Sequence, residues 1–316
     1  MSLRVAVLRG GFSREAEVSA VSAREVAAGL VQAGHDVRII DLDSGLTTNL
    51  LAFAPDVVFP ALHGAPGEDG TVQGYLEMLG LPYVGAGVHG SAAAMDKSLA
   101  KAVFRANGLP VADEVVVPHD MPVDAAVAAV VDRLGTRVAI KPLAQGSALG
   151  VNLLPNGGDV AAALADCRRA GGDALVEPYV MGREMTVGVL DLHGEASRSL
   201  PVIEIRTAAS QWYDFTNRYT PGRSEHILPA SVSTATAARM GEVALRAHHA
   251  LRLRDLSRAD FIVTDTEDFV LLEVNTLPGM TPTSLYPDGA NAIGYPFPRL
   301  VDALVRSALA RKSAAR

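Results

Sequence analysis

The sequence holds one cysteine, Cys167, in 316 residues. A single thiol builds no disulfide framework and no cysteine metal cluster, and in its Ala-rich, helix-like surroundings Cys167 reads as packing. Aromatic residues make up only 5 % of the chain, and its net charge is −7 with Lys and Arg scattered along it. Nucleic-acid binders combine a basic stripe with stacking aromatics, and neither is present. Hydrophobic residues are 49 % of the total, yet no run approaches the ~18 consecutive apolar residues of a membrane span. The chain enters a strand-like run at Val5–Leu8 with no basic segment and apolar core before it, so no signal peptide is expected. These absences favour the cytoplasm and small-molecule partners, with neither nucleic acid nor membrane among them.

What is present is alternation. Val5–Leu8, a helical stretch to Gly34, Val37–Leu42 and Val57–Phe59 form a βαβ pattern that predicts a parallel sheet with helices on its faces. Helices are expected over Lys97–Asn107, Val123–Leu134, Asp159–Arg169 and Thr236–Leu251. Strands are expected at Val115–Val117, Val138–Lys141, Val151–Leu154, Ala174–Glu177, Glu184–Leu190 and Pro201–Ile205. The polar segment Arg206–His226 is too long for an ordinary connection and reads as a lid. Arg311–Arg316 reads as a frayed tail. The pair His248-His249, on a helix without ligand partners, reads as surface.

Several segments have the composition of a site. In Gly10-Gly11-Phe12-Ser13-Arg14-Glu15, Ser13 suits a helix N-cap and Glu15 its first turn; alternatively Glu15 grips a ligand ammonium at the carboxyl end of a strand. His63–Gly74 packs four glycines, two acids and a histidine behind a strand, which makes poor core and a good site. Gly85-Ala86-Gly87-Val88-His89-Gly90 matches G-x-G-x-x-G but lies on a late strand and lacks the acidic residue expected about twenty positions on, so it reads as a tight turn. Lys141 ends a strand beside Gly146-Ser147-Ala148-Leu149-Gly150, a phosphate cradle in which glycine lets amides approach and lysine neutralises charge. Lys97 joins it from a helix start. Glu177-Pro178-Tyr179-Val180 and Glu184 read either as a nucleotide hinge or as a surface hairpin. Four of the sixteen aromatics fall in Trp212–Tyr219, inside the lid.

The most informative pattern is Arg258-Ala259-Asp260 with Glu273-Val274-Asn275. The two runs flank the polar Thr264–Asp268 and read as a hairpin. A turn centred on Thr266-Glu267 sets Asp260 opposite Glu273 and Arg258 opposite Asn275, all on one face. Hard oxygen ligands beside a cation suit magnesium shared with phosphates; a solvated charge pair is the plain alternative.

Taken together, His63–Gly74, Arg258-x-Asp260 with Glu273-Val274-Asn275-Thr276-Leu277-Pro278-Gly279, Gly10-Gly11-x-Ser13-x-Glu15, Met95-Asp96-Lys97 and Pro278-Gly279-Met280-Thr281 resemble the D-alanine–D-alanine ligase family of the ATP-grasp superfamily, over nearly the whole chain. The resemblance implies a mixed α/β, three-domain ATP-grasp fold. Its expected parts are an N-terminal domain over 1–94, a central domain over 95–181 and a C-terminal domain over 182–316 with a lid at 206–228. It implies ATP-dependent joining of two D-alanines through an acylphosphate, a step in peptidoglycan precursor synthesis, with two magnesium or manganese ions and a homodimeric enzyme. By motif, Glu15, His63, Ser284 and the Leu285 amide would bind substrate, and Ser147 would link Glu15 to Tyr219 to close the lid. Lys97, Lys141, Gly146, Ser147, Glu177, Tyr179, Val180, Glu184 and Arg218 would hold ATP. Asp260, Glu273 and Asn275 would bind metal, and Arg258 with the Gly279 amide would face the oxyanion. Arg218 stands where lysine is common, Ala148 where serine is frequent, Gln145 where glutamate is frequent, and Pro178 where lysine is common. Alternatives are a relative joining D-alanine to D-serine or D-lactate, a dinucleotide oxidoreductase using Gly85–Gly90, and a non-catalytic nucleotide sensor.

Overall fold

A computed structural model describes residues 1–11, 15–208, 212–220 and 222–314; the side chains of Phe215, Tyr219, Ser313 and Ala314 lie outside the description. The first layer is β1 (Arg4–Arg9), α1 (Ala16–Gln32), β2 (Asp36–Asp41), α2 (Leu46–Phe53), β3 (Val57–Pro60) and α3 (Thr71–Met78); α4 (Val88–Met95) and α5 (Lys97–Ala106) follow and pack into the core of the third sheet. The first layer's sheet, β2-β1-β3, is parallel throughout, as the βαβ pattern predicts. β1 is apolar on both faces because helices cover both, and Val5, Ala6, Val7 and Leu8 are fully buried.

A second sheet, β4-β7-β5-β6, is antiparallel. It is built from β4 (Val115–Val117), α6 (Val123–Leu134), β5 (Val138–Pro142), β6 (Asn152–Leu153), α7 (Val160–Ala170) and β7 (Ala174–Pro178). Cys167 packs into its core with Val130, Ile140 and Leu164, and burial pushes the thiol up to about 12. The third sheet runs β11-β10-β8-β12-β13, with β9 beside β8. Its elements are β8 (Arg183–Asp191), β9 (Arg198–Ser199), β10 (Ile203–Thr207), α8 (Phe215–Tyr219), β11 (Ser224–Ile227), α9 (Thr234–Ala250), β12 (Asp255–Val263), β13 (Phe269–Asn275), α10 (Leu285–Ala292) and α11 (Phe297–Ala314).

Four expectations need correction. The two ends of the lid segment are strand: Arg206 pairs with Glu225 and Thr207 with Ser224, which narrows the connection to the residues between them. Gly85–Gly90 lies on no strand; it joins the isolated bridge at Tyr83 to α4. Arg311 and Lys312 belong to α11, and Arg311 ends in an ion pair with buried Asp255. α11 packs on α1, so its apolar residues Leu300, Val301, Leu304 and Val305 join the first sheet's core. Finally, His248 is fully buried, because the inner face of α9 lies against β8 and β12. Its ring nitrogens meet Ser257 Oγ at 2.8 Å and Asp191 Oδ2 at 3.3 Å. Neighbouring histidines carry no helical period of their own, which is why the sequence reading put both outside.

Candidate active site

The hairpin reaches the expected pairing by a different route. Nearest the turn, Val263 pairs with Phe269 and Phe261 with Leu271, which centres the turn on Thr266; beyond a register shift Asp260 pairs with Glu273 and Arg258 with Asn275. Leu272 is the extra residue of a β-bulge, which re-aims the strand beyond it. Without it, Glu273 and Asn275 would point to the opposite face from Asp260. With it, Leu271 and Val274 both enter the core, while Val270, Leu272 and Glu273 all line one cleft.

That cleft, of about 480 Å³, lies between the second and third sheets, within the usual range for small-molecule sites. Lys97, Lys141, Glu177, Pro178, Tyr179, Val180, Glu184 and Arg218 line it, together with Gln145, Ala148 and Leu149 of the glycine loop. Lys141 reaches Glu177 at 2.6 Å, and Lys101, fully buried beneath, pairs with Glu177 and, at 2.7 Å, with Glu114. Burial alone would raise the Glu177 carboxyl; the two lysines outweigh it and lower it. Burial would lower the Lys141 ammonium, but Glu177 and Glu273 outweigh it and raise it. Lys97 donates to the Gln145 carbonyl at 2.7 Å and lies 3.3 Å from Glu273. The cleft therefore keeps the Lys141 ammonium charged at one end, beside Lys97. Sequence reasoning missed Lys101; its signal was a lysine on the apolar side of α5, four residues after Lys97.

A second, smaller cavity of about 70 Å³ adjoins the cleft, and Tyr213, Arg218 and Glu273 line both. Glu15, His63, Gly146, Ser147, Arg258, Asn275, Gly279, Ser284 and Leu285 complete most of its wall. Glu15 is itself the N-cap residue of α1, makes no side-chain cap, and instead accepts from the Ser147 hydroxyl. Burial raises its carboxyl despite Ser147. Ser13 lies outside the described residues. Ser284 precedes α10, and its hydroxyl accepts from the Thr281 amide at 3.0 Å. His63 meets Ser22 Oγ at 3.2 Å; burial, then Arg258, lowers it to about 4, so it is neutral at pH 7. Glu68, within the glycine-rich segment but not singled out there, also lines this cavity and accepts from the Gly64 amide at 2.6 Å. Burial, then Glu15, pushes it up to about 8. Arg218 lies over the Tyr213 ring at 4.5 Å. The side chain of Tyr219 lies outside those described.

Arg258 holds both oxygens of Asp260 at 2.8 Å, and Thr186 donates to Asp260 Oδ1 at 2.7 Å. Burial would raise Glu273, but Lys97, Lys141 and Arg218 outweigh it and bring it down to about 2. Among the described residues, no group of three or more His, Cys, Asp or Glu could hold a metal ion alone. Ionised Glu273, Asp260 and the Asn275 amide oxygen are three hard donors on one hairpin face, fewer than the six that magnesium takes. They fit a divalent ion only if phosphate oxygens and water complete its shell, and the lysine-lined cleft beside them is where phosphates would lie.

The comparisons with known proteins agree in direction. A family model described as D-ala D-ala ligase C-terminus matches residues 103–306, and one described as D-ala D-ala ligase N-terminus matches residues 47–86. The chain belongs to the D-alanine–D-alanine ligase family. Relatives named D-alanine–D-alanine ligase include that of Acidiphilium cryptum, 48 % identical over 98 % of this chain and 99 % of its own length. That of Gluconobacter oxydans is 45 % identical over 98 % of this chain and all of its own. Among solved structures, the D-alanine–D-alanine ligase from Bacillus anthracis complexed with ATP superposes with a TM-score of 0.83 at 29 % identity, covering all of both chains. The ligase from Coxiella burnetii gives 0.82 at 28 %, covering 99 % of this chain and 97 % of its own. The mixed α/β architecture is thus that of D-alanine–D-alanine ligases in the ATP-grasp class. Among the described residues no helix is long and apolar enough to cross a membrane.

Proposed function

We propose that the protein joins two D-alanines to D-alanyl-D-alanine at the expense of ATP, for peptidoglycan precursor synthesis, as a cytoplasmic homodimer with domains at 1–94, 95–181 and 182–316. One observation carries the mechanism: the large cationic cleft and the small polar cavity meet at Glu273, Arg218 and Tyr213. A nucleotide in the cleft would present its terminal phosphate at that junction, to a carboxylate bound in the cavity.

In this reading the backbone near Glu177, Tyr179 and Val180 receives the adenine, since the Glu177 carboxylate is already taken by lysines. Glu184 meets the ribose. Lys97, Lys141, Arg218 and the amides around Gly146 and Ser147 neutralise the phosphates, because phosphoryl transfer is mostly positioning and charge compensation. Asp260, Glu273 and Asn275 would hold the metal ions with the phosphates, and a bound divalent ion supplies charge neutralisation there. Glu15 holds the first D-alanine's ammonium, with His63 beside it. A carboxylate oxygen of that D-alanine attacks the γ-phosphorus; the bond to the β-phosphate oxygen breaks and ADP leaves. Ser284 and the Leu285 amide, at the start of α10, hold the second carboxylate, where the helix dipole favours an anion. The neutral amine of the second D-alanine then attacks the acyl carbon, and nearby Arg258 disfavours its ammonium form. Negative charge develops on the acyl oxygen, against Arg258 and the Gly279 amide, and phosphate departs, taking up the proton that the amine nitrogen gives up. The lid, with Tyr219 and Ser147, closes over both cavities and excludes water.

The names of the relatives do not favour a D-serine or D-lactate variant. Phosphate release from ATP and magnesium, with D-alanine, D-serine, D-lactate or L-alanine added in turn, tests the reading. Release driven by D-alanine is expected, and none with D-alanine would sink it.

A further inference from the structure

Gly85–Gly90 has no role in the reaction above, yet the approach between the first sheet and β12 runs through it. Gly85 (φ 99°) donates its amide to Asp255 Oδ2 at 2.8 Å, and its carbonyl accepts from Arg254 Nε at 2.8 Å. A Cβ on Gly85 would stand 3.0 Å from Leu277 Cδ2, and one on Gly90 would stand 2.8 Å from Leu253 Cδ2. The glycines serve close approach of protein to protein.

The other side of this contact is Asp255, fully buried at the root of β12 with φ 63°. Left-handed backbone is costly for a residue with a side chain, and a buried carboxylate is costly without partners. Here it has several. Besides the Gly85 amide it accepts from Ser307 Oγ at 2.9 Å, from Arg311 Nη1 at 2.6 Å and from Arg311 Nη2 at 2.9 Å. Arg311 Nη2 also reaches the Tyr83 carbonyl at 3.1 Å. One carboxylate thus ties the segment between α3 and α4, the C-terminal helix and β12 together. Three residues along β12 is Arg258, and two beyond Leu277 is Gly279, both walls of the small cavity. The opposite walls, Glu15 and His63–Glu68, come from the first sheet. None of the residues of this clamp lines the nucleotide cleft.

We propose that Asp255, clamped by Arg311, is a positioning residue for the D-alanine subsites: it fixes the distance between the first-sheet wall and the wall carrying Arg258 and Gly279. The proposal rests on the ligase reading of that cavity. A loosened clamp widens the amino-acid subsites and leaves the nucleotide cleft intact.

The test uses the full-length enzyme as wild type, Arg311→Ala, Arg311→Lys and the double variant Asp255→Gly/Arg311→Ala. Glycine adopts positive φ without strain, so the double variant removes the clamp without leaving a buried lone charge. D-alanine-dependent ADP release by the wild type checks the ligase reading first; its absence fails that reading and not the clamp. Given activity, KM for D-alanine should rise about tenfold in Arg311→Ala and in the double variant, equivalent to about 1.4 kcal/mol. The Kd for ATP should stay within about twofold, and Arg311→Lys should retain most of the wild-type KM. An unchanged KM for D-alanine in the double variant overturns the proposal, as does an equal loss of ATP affinity.

Discussion

Replacing Lys101 by Met probes the floor of the large cleft proposed to hold the nucleotide. Lys101 is fully buried, pairs with Glu177 and lies 2.7 Å from Glu114. Methionine keeps most of the apolar stem and removes the ammonium. Two buried carboxylates then share fewer cations: Glu177 keeps Lys141, and Glu114 keeps Arg105 at 3.5 Å. Removing one partner of a buried ion pair costs about 3–5 kcal/mol, on the order of 10 °C in Tm for a chain of this size. The sign with pH follows from Glu177, whose carboxyl is lowered from 4.5 by Lys141 and Lys101 against burial. Its pairing stabilises the fold above pH 4.5, and that contribution is lost as pH falls through the lowered value. The gap between wild type and variant should therefore narrow in acid. Lys141, now the only cation on Glu177, is drawn from the phosphates, so ATP should bind about tenfold more weakly. Urea unfolding from pH 8 down to about pH 3, through the range below 4.5 where the pairing is lost, and ATP titration calorimetry measure both effects. A stability loss below about 1 kcal/mol, or unchanged ATP affinity, would refute the reasoning. Lys101→Met/Glu177→Gln leaves fewer lone charges and should recover part of the stability.

Three further expectations come from the small cavity. Arg258→Ala should lower kcat by about 10²–10³ while ATP binding persists; near-normal turnover would remove Arg258 from the oxyanion. Glu68, raised to about 8 by burial and then by Glu15, keeps its proton in the folded chain after the unfolded chain has lost it. Wild-type stability should therefore fall between pH 4.5 and 8 relative to Glu68→Gln, by on the order of a few kcal/mol, and parallel curves in urea titrations would contradict the burial argument. His63, lowered to about 4, should show no imidazole titration between pH 5.5 and 8 in ¹⁵N NMR, and an inflection near 6.5 would mean the ring is solvated.

Much of this was legible in the sequence because local chemistry and fold agreed there. The helix expected over Val123–Leu134 has those bounds, and the glycine loop beside Lys141 could hardly pack as core. The hairpin was harder. Its pairing was anticipated, but from a turn centred half a residue away, and the Leu272 bulge that restores the register has no composition signal. Lys101 was invisible as a site residue because a lysine on an amphipathic helix ordinarily faces water. Asp255 and Arg311 were invisible because their contact spans 56 positions and depends on α11 packing back onto the first sheet.

The central claim is that the proposed reaction runs in two steps, phosphorylation of a carboxylate and its capture by an amine. D-alanine labelled with ¹⁸O in its carboxyl group tests this directly. If an acylphosphate forms, the oxygen that attacked phosphorus leaves with it, and mass spectrometry should find one ¹⁸O in each inorganic phosphate released with D-alanyl-D-alanine. Dipeptide formed with unlabelled phosphate would contradict the account.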